Sequence, residues 1–145
     1  MGIGLAKATA VVDGALRKAR EIGCAPLAVA VLDDGGHLKS FAREDGAGIV
    51  RPQIAMGKAW GALGMGVGSR ALARRLAEQP QSQPFFAALA AASDGRLVPV
   101  PGGVLIRDPA GALLGAVGIS GDTSDKDEAC ALAGIQAAGL TGDTG

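Results

Sequence analysis

The stretch that decides the fold is LAVAVLDDGGHL at residues 27–38. Its first six residues are an unbroken apolar run, which is typical of a strand buried on both faces. The DDGG tetrapeptide that follows has the composition of a tight turn, and an apolar residue returns after it. The stretch therefore predicts a hairpin, with strands over Leu27–Leu32 and Leu38–Ala42.

Glycines and prolines divide a later apolar region, residues 97–120, into three further short strands. They are predicted over Leu97–Val100, Val104–Asp108 and Leu113–Ser120. The sequence Asp108-Pro109-Ala110-Gly111 favours a tight turn between the last two. Short connections of this kind join antiparallel strands.

Apolar residues at helical spacing predict helices before, between and after these strands. The last helix is expected to be N-capped by Ser124 and to end near Gly139, and the polar tail Thr141–Gly145 is expected to fray. The chain is thus predicted to be α+β, one domain over residues 1–145 in which helices pack on a five-stranded antiparallel sheet. The other predicted helices are Leu5–Ile22, Gln53–Leu63, Ser69–Leu76 and Phe85–Ala92.

Composition excludes several classes of partner. The formal net charge is zero, so the basic footprint of a nucleic-acid-binding or membrane-surface protein is missing. Three Phe, one Trp and no Tyr leave few platforms for base stacking. No apolar run reaches membrane-spanning length, and the N-terminus lacks the apolar region of a signal peptide, so a cytoplasmic location is expected. Cys24 and Cys130 are too few for a zinc site and are interpreted as small buried thiols.

The glycine-rich string GMGVG at residues 64–68 superficially resembles a nucleotide-binding loop. It does not follow a predicted strand, and it lacks the third-glycine spacing of a dinucleotide fingerprint. A dinucleotide or phosphate loop is therefore rejected at this place.

An ordered set of short stretches resembles the GlcG/HbpS family, also called the haem-degrading (DUF336) family. The likeness extends from the first predicted helix to the last, and Asp127 with its following helix belongs to it. The stretches that carry it are Val31-Leu32-Asp33 with Gly35-Gly36-His37-Leu38, Arg43 with Asp45-Gly46, Lys58-Ala59, Pro101-Gly102-Gly103-Val104, and Gly115 with Gly118-Ile119-Ser120-Gly121.

The resemblance implies a profilin-like α/β/α sandwich and a symmetric homo-oligomer. It also implies haem as a ligand, since the family includes haem-binding proteins. Alanine-rich predicted helices, whose small side chains suit close subunit packing, independently favour an oligomer. Pro52 departs from the family pattern, which places a small residue before the helix that carries Lys58.

Three side chains are candidate catalytic groups. His37, the single histidine, could ligate haem iron or a metal or act as a general base, or it could be an exposed hairpin residue. Lys58 lies among apolar residues, where it either extends to solvent or points into a pocket that holds a carboxylate. Arg43 could hold a carboxylate bidentately, although an ion pair with Asp45 is favoured. Loss of Lys58 or Arg43 is expected to change stability by no more than about half a kcal/mol.

Turn residues form the candidate ligand-binding set. Asp33 is favoured as an Asx turn that stabilises the hairpin. Gly102 and Gly103 follow Pro101 and are expected to make a chain reversal whose amide groups face a ligand. The remaining members of this set are Asp45, Ser120 and Gly121.

Two functions of different classes remain. One is a small-molecule-binding protein of the GlcG/HbpS type, with haem or another tetrapyrrole as ligand. The other is a cofactor-independent enzyme, a proton-transfer enzyme, isomerase or lyase, acting on a small carboxylate or oxygenated metabolite. In that enzyme Lys58 or His37 would be the acid or base, Arg43 the carboxylate clamp, and the Gly102 and Gly103 amides the oxyanion donors.

Overall fold

The computed structural model describes residues 2–145. Helices and strands follow one another in small groups, and a turn of 3-10 helix at Pro80–Ser82 joins the third helix to the fourth. In chain order the elements are α1 (Leu5–Glu21), β1 (Ala28–Asp33), β2 (Leu38–Arg43), α2 (Arg51–Met65), α3 (Ser69–Glu78), α4 (Gln83–Ala92), β3 (Gly103–Arg107), β4 (Leu113–Ser120), α5 (Ser124–Ala137) and β5 (Thr141–Asp143).

The five strands form one antiparallel sheet in the order β2-β1-β4-β3-β5. β1 and β2 make the predicted hairpin, in which Ala30 lies opposite Phe41. β1 also pairs with β4, so the unbroken apolar run lies inside the sheet, as its composition predicts. The predicted α+β class with a five-stranded antiparallel sheet is confirmed.

The two faces of the sheet carry side chains of different size. The face toward α1 and α5 presents β-branched residues, namely Val29, Val31, Val104, Ile106, Val117 and Ile119. The face toward α2 presents mostly small residues, with two leucines, namely Ala28, Ala30, Leu32, Leu105 and Ala116. Helices cover both faces, so the α/β/α sandwich is confirmed.

Glycines let α2 approach the sheet closely. Gly103 and Gly118 lie opposite each other on neighbouring strands. A Cβ added at Gly118 would overlap the carbonyl oxygen of Ala55, and one added at Gly103 would overlap that of Lys58. The backbone of α2 therefore rests directly on the sheet, and this close contact fixes the distance between the sheet and the side chains of this helix.

The strand predicted over Leu97–Val100 is wrong. This segment runs along α2, where the N–H of Val98 donates to the carbonyl oxygen of Gly57 at 3.2 Å. Gly61 leaves room for the crossing, since a Cβ there would lie 2.9 Å from Cγ of Leu97. Two prolines in the segment, Pro99 and Pro101, also lack the N–H that a sheet ladder requires.

The prediction that Thr141–Gly145 frays is wrong as well. Residues 141–143 form β5, in which Asp143 lies opposite Leu105. Nε of Arg107 lies 3.1 Å from the Asp143 carboxylate and holds this short edge strand in place. The strand count was thus correct, although the fifth strand comes from the tail.

The N-cap of α5 lies one residue earlier than predicted. Oγ1 of Thr123, rather than Ser124, accepts a hydrogen bond from the backbone N–H of Lys126 at 3.3 Å. Asp127 is the fourth residue of the helix, and its backbone N–H donates to the carbonyl oxygen of Thr123 at 2.9 Å.

Candidate functional site

A cleft of about 360 Å³ opens beside α2 at the hairpin end of the sheet. This volume falls within the range of small-molecule sites, about 300–1,000 Å³. We call it the Trp60 cleft. Its apolar lining comes from Leu32, Leu38, Met56 and Trp60, and its polar lining from Gln53, Asp94 and Arg96.

Arg96 covers one face of the Trp60 ring. Its guanidinium carbon lies 4.6 Å from the ring centroid, within the range of a cation–π contact. The turn after α4 sets this position, because Asp94 and Gly95 both have left-handed backbone angles, φ 54° and 73°. Nε of Arg96 donates to the Ser93 carbonyl oxygen at 3.0 Å and anchors the side chain over the indole.

Trp60 borders two further depressions besides the cleft. One lies toward α4 and is lined by residues that include Leu89, Ser93 and Leu97. The other lies toward the hairpin and is lined by residues that include Gly35 and Leu63. The half-buried indole is therefore a shared wall at which three concave surfaces meet.

His37 lies at the rim of this region. Its side chain is 82% exposed, and Nδ1 lies 3.4 Å from Oδ1 of Asp33. A Cβ added at Gly35 would lie 2.9 Å from Nδ1, so the imidazole covers the backbone that lines the hairpin-side depression. Gly36 and Leu38, its neighbours in sequence, both line the Trp60 cleft.

Asp33 makes the Asx turn that the sequence favours. Its Oδ1 accepts hydrogen bonds from the backbone N–H groups of Gly35 and His37, both at 3.0 Å. The bond from His37 is the main reason that the pKa of Asp33 lies below its ordinary value of 3.8. Asp33 thus holds the hairpin at the rim of the Trp60 cleft.

Lys58 points into the protein and forms a buried ion pair. Its Nζ lies 3.1 Å from Oδ2 of Asp127 and donates to the Ile119 carbonyl oxygen at 2.8 Å. Both side chains are almost fully buried, 3% and 1% exposed. The expectation that loss of Lys58 would scarcely affect stability treated it as partly exposed and is wrong on that point, since removal of one partner leaves a buried charge unpaired.

The pKa values of this pair shift in opposite directions. Desolvation lowers the pKa of Lys58 below 10.5, despite the attraction of Asp127. Desolvation likewise raises the pKa of Asp127 above 3.8, despite the attraction of Lys58. Burial therefore opposes the charged form of both groups, and the polar contacts of the pair compensate for part of that cost.

The two glycines after Pro101 pack inside the protein, and the first of them lies against the Lys58 side chain. Gly102 has φ 120°, and a Cβ there would lie 2.9 Å from Nζ of Lys58, so glycine is required for the lysine to pass. The N–H of Gly103 donates to Oγ of Ser69 at 2.8 Å. The Gly103 amide is consequently engaged within the protein, not directed at a ligand as the sequence-based hypothesis has it.

Arg43 and Asp45 lie at the end of β2. The predicted ion pair between them is wrong, because the ion pairs among residues 2–145 do not include one between Arg43 and Asp45. In this region Arg20 pairs with the intervening Glu44, at 3.1 Å. Arg43 instead donates to the Ala47 carbonyl oxygen at 2.9 Å. Arg43, Asp45 and Arg20 line an open, polar depression of about 410 Å³.

Ser120 and Gly121 close β4 at that same end of the sheet. Ser120 is buried, and its Oγ accepts a hydrogen bond from Arg51 at 3.2 Å. Gly121 has φ 155°, and a Cβ there would overlap the carbonyl oxygen of Pro26. Both residues therefore pack against neighbouring chain segments.

The predicted site residues divide into two groups at opposite ends of β1. Arg43 and Ser120 both lie opposite Ala28, at the start of the strand, and the Lys58 pair lies beside them. Asp33 and His37 lie at its other end. Five residue steps separate the ends, which is about 16 Å along a strand. Within one chain, Lys58 and His37 therefore cannot act on the same reacting atoms.

Three residues that matter here were missed. Trp60 entered the sequence analysis only as the single tryptophan of the composition, and Asp127 only as part of the family resemblance. Arg96 was not considered at all. Available signals were the single tryptophan and the Asp94-Gly95-Arg96 turn, but the burial of Asp127 leaves no trace in sequence.

Metal binding and membrane insertion receive no support from the described part of the chain. Residues 2–145 contain no cluster of three or more His, Cys, Asp or Glu side chains able to hold a metal ion. A helix with the length and apolar character to cross a bilayer is likewise not found among them.

Comparisons with known proteins agree on one family. The model of the family described as "Haem degrading protein HbpS-like" matches residues 3–136. None of the curated proteins matches the chain.

Solved structures similar to the chain share its fold over most of their length. The PduOC:heme complex has a TM-score of 0.82 at 25% identity, covering 94% of this chain and 95% of that one. Protein ORFY of Klebsiella pneumoniae, a DUF336 protein, has a TM-score of 0.83 at 26% identity, and the match covers 94% of this chain and 90% of that one. A double mutant of HbpS from Streptomyces reticuli has a TM-score of 0.77 at 28% identity, and the match covers 94% of this chain and 86% of that one.

Proposed function

The chain belongs to the HbpS-like family, and we propose that it binds a flat, mostly apolar small molecule carrying an acid group, in the Trp60 cleft. Haem is the first candidate, because PduOC, a protein of the same fold, has been crystallised with haem. The observation that carries the proposal is the stacked pair of Trp60 and Arg96 at the wall of an apolar cleft.

This pair offers two kinds of contact side by side. An indole face stacks against flat rings, and a guanidinium fork takes a carboxylate with two parallel hydrogen bonds. Because the stacking on Trp60 and the bond to Ser93 hold Arg96 in place, little side-chain entropy is lost when an acid group binds.

The residues of the cleft fit one edge of haem. Arg96 would hold a propionate, Trp60 would contact the macrocycle, and the imidazole of His37 at the rim would ligate the iron. The volume of about 360 Å³ lies near the lower limit for ligand clefts, so a tetrapyrrole would extend beyond it. Once bound, haem would supply an iron centre for ligand binding or electron transfer.

Hemin titration of the purified protein tests the proposal. Trp60 is the single tryptophan and the chain has no tyrosine, so intrinsic fluorescence reports on the surroundings of this one indole. We expect saturable quenching with a sharpened Soret band, and about tenfold weaker binding in Arg96→Ala, as for the loss of one charge-assisted bond. His37→Ala should alter the Soret position.

Arg17→Ala is the matched control, because this exposed arginine lies on α1, on the opposite side of the sheet. If Arg17→Ala and Arg96→Ala weaken hemin binding equally, attraction of general charge explains the binding, and the cleft assignment fails. Saturable binding without any change in Trp60 fluorescence would also place the ligand elsewhere.

We also propose that the protein forms a homo-oligomer. Ile49 is 93% exposed and Val50 53%, next to each other before α2, and Phe41 on the edge strand β2 is 38% exposed. Neighbouring apolar side chains of this kind are commonly covered by a second subunit. Light scattering that gives the monomer mass at all micromolar concentrations would refute this proposal.

A further inference from the structure

The two cysteines, 106 residues apart in sequence, meet in the core on the α1 side of the sheet. Their Sγ atoms lie 3.8 Å apart, and both thiols are buried and free. Cys24 follows α1 in the turn that leads to β1, whereas Cys130 lies in α5. We propose that this pair is a site of reversible oxidative modification, where a peroxide converts the two thiols into an intramolecular disulfide.

The distance allows this with a small movement. A disulfide brings its sulfur atoms to about 2.05 Å, so the pair must close by about 2 Å. Cys24 can supply that movement, because it belongs to a short turn whose Gly23 is exposed and has φ 70°. Cys130 is held in the middle of α5 and provides the fixed partner.

The two thiols take different parts in the reaction. Burial and the neighbouring Cys24 raise the pKa of Cys130 to about 12, and the Cys130 side chain is fully buried. Cys24 is 4% exposed and next to solvent-accessible turn residues, and it therefore meets the oxidant first. Hydrogen peroxide is small enough to reach it when the turn opens.

The atoms and electrons balance over two steps. The Cys24 sulfur attacks one peroxide oxygen, the O–O bond breaks, and sulfenic acid and one water form. Cys130 sulfur then attacks the Cys24 sulfur, the S–O bond breaks, and the departing hydroxide takes the Cys130 proton to form a second water. Two electrons pass from the two thiols to one peroxide.

The disulfide would strengthen the contact between the turn after α1 and the start of α5, where a hydrogen bond already joins the two segments. The N–H of Ala25 donates to the Asp122 carboxylate at 2.7 Å, beside the start of α5. Cys130 follows Asp127 by one helical turn, so the new bond would restrain the part of α5 that holds the Lys58 ion pair. Oxidation would therefore stiffen the end of the sheet away from the Trp60 cleft.

Peroxide treatment of the purified protein, followed by intact mass measurement and thiol titration in denaturant, tests the proposal. We expect the mass of the monomer to fall by two hydrogen atoms and both thiols to disappear together. Dithiothreitol should restore both. The oxidised monomer should melt about 5 °C or more above the reduced one, since the bond closes a long loop in the unfolded chain.

Three results would overturn it. They are a mass increased by whole oxygen atoms, a disulfide-linked dimer, and two thiols that persist after peroxide treatment of the folded protein. Cys24→Ala and Cys130→Ala should each lose the mass decrease and the shift in melting temperature. Because wild-type protein alone gives the main result, the test stands even if one variant folds poorly.

Discussion

The ammonium of Lys58 on α2 and the carboxylate of Asp127 on α5 lie 3.1 Å apart, although their helices cover opposite faces of the sheet. The lysine side chain reaches its partner past Gly102, where no Cβ obstructs it. Asp127 also accepts a hydrogen bond from the backbone N–H of Asp122 at 3.1 Å, through its other oxygen. One buried ion pair thus connects both helical layers and the loop before α5.

Removal of one partner of this pair should be strongly destabilising. Lys58→Met leaves Asp127 buried without its counter-ion, and we expect a loss of about 3–5 kcal/mol in the free energy of unfolding. Urea denaturation measures it. The double variant Lys58→Met/Asp127→Leu should lose less than Lys58→Met alone, because no charge then remains buried. A double variant that is less stable than either single variant would contradict this account.

Glycines under α2 should not tolerate a methyl group. Gly118→Ala and Gly103→Ala each place a Cβ on the α2 backbone, and we expect losses above about 2 kcal/mol in urea denaturation. The control is Gly64→Ala in α2, where the new Cβ would lie 3.9 Å from Trp60. That change should be neutral or stabilise by up to about 1 kcal/mol. Equal effects at the three positions would refute the close approach of α2.

Acid should weaken the hairpin through Asp33. The pKa of Asp33 lies below 3.8 in the folded protein, so the ionised carboxylate makes its full contribution to folding stability above the unfolded-state pKa. This contribution is lost as the pH falls through the folded-state pKa. From about pH 5 to about pH 2, wild type should therefore lose more stability than Asp33→Asn, which does not titrate. Asp13→Asn, at an exposed site on α1, should lose as much stability as wild type over this pH range. If it instead loses as little as Asp33→Asn, the acid sensitivity does not come from Asp33.

Removal of Arg96 should uncover the indole. In Arg96→Ala, water replaces the guanidinium over one face of Trp60. We expect the fluorescence emission of the unliganded protein to move to longer wavelength by several nanometres, with Arg17→Ala unchanged. An unchanged spectrum in Arg96→Ala would mean that the stacked pair does not persist in solution.

Most of the fold follows from short-range patterns. The apolar run at residues 27–32 and the DDGG turn predict the β1–β2 hairpin, and the helices follow from apolar spacing. Errors arise where tertiary packing decides. Leu97–Val100 has strand-like composition but lies on α2, and Thr141–Asp143 is polar but completes an exposed sheet edge. Both outcomes depend on what lies beside the segment, which no local pattern records.

The candidate site was less accessible to sequence reasoning. The sequence analysis picks its candidate site residues from glycine-rich turns and the charged residues near them. Several of these candidates do lie together at one end of β1. Two of them, however, make room for other parts of the protein: Gly102 for the Lys58 side chain and Gly103 for the α2 backbone. The contact between Trp60 and Arg96 joins residues in α2 and after α4, and only the folded chain brings them together.

Because the two faces of the sheet carry side chains of different size, their residues should differ in how well they tolerate substitution. Where Val and Ile meet α1 and α5, exchange of one branched side chain for another changes volume by one methylene and can be absorbed by small shifts. Where alanine and glycine meet α2, any enlargement lifts the helix, and with it Trp60 and the cleft wall. Related sequences that keep the Trp60 cleft should therefore vary on the first face and remain nearly constant on the second.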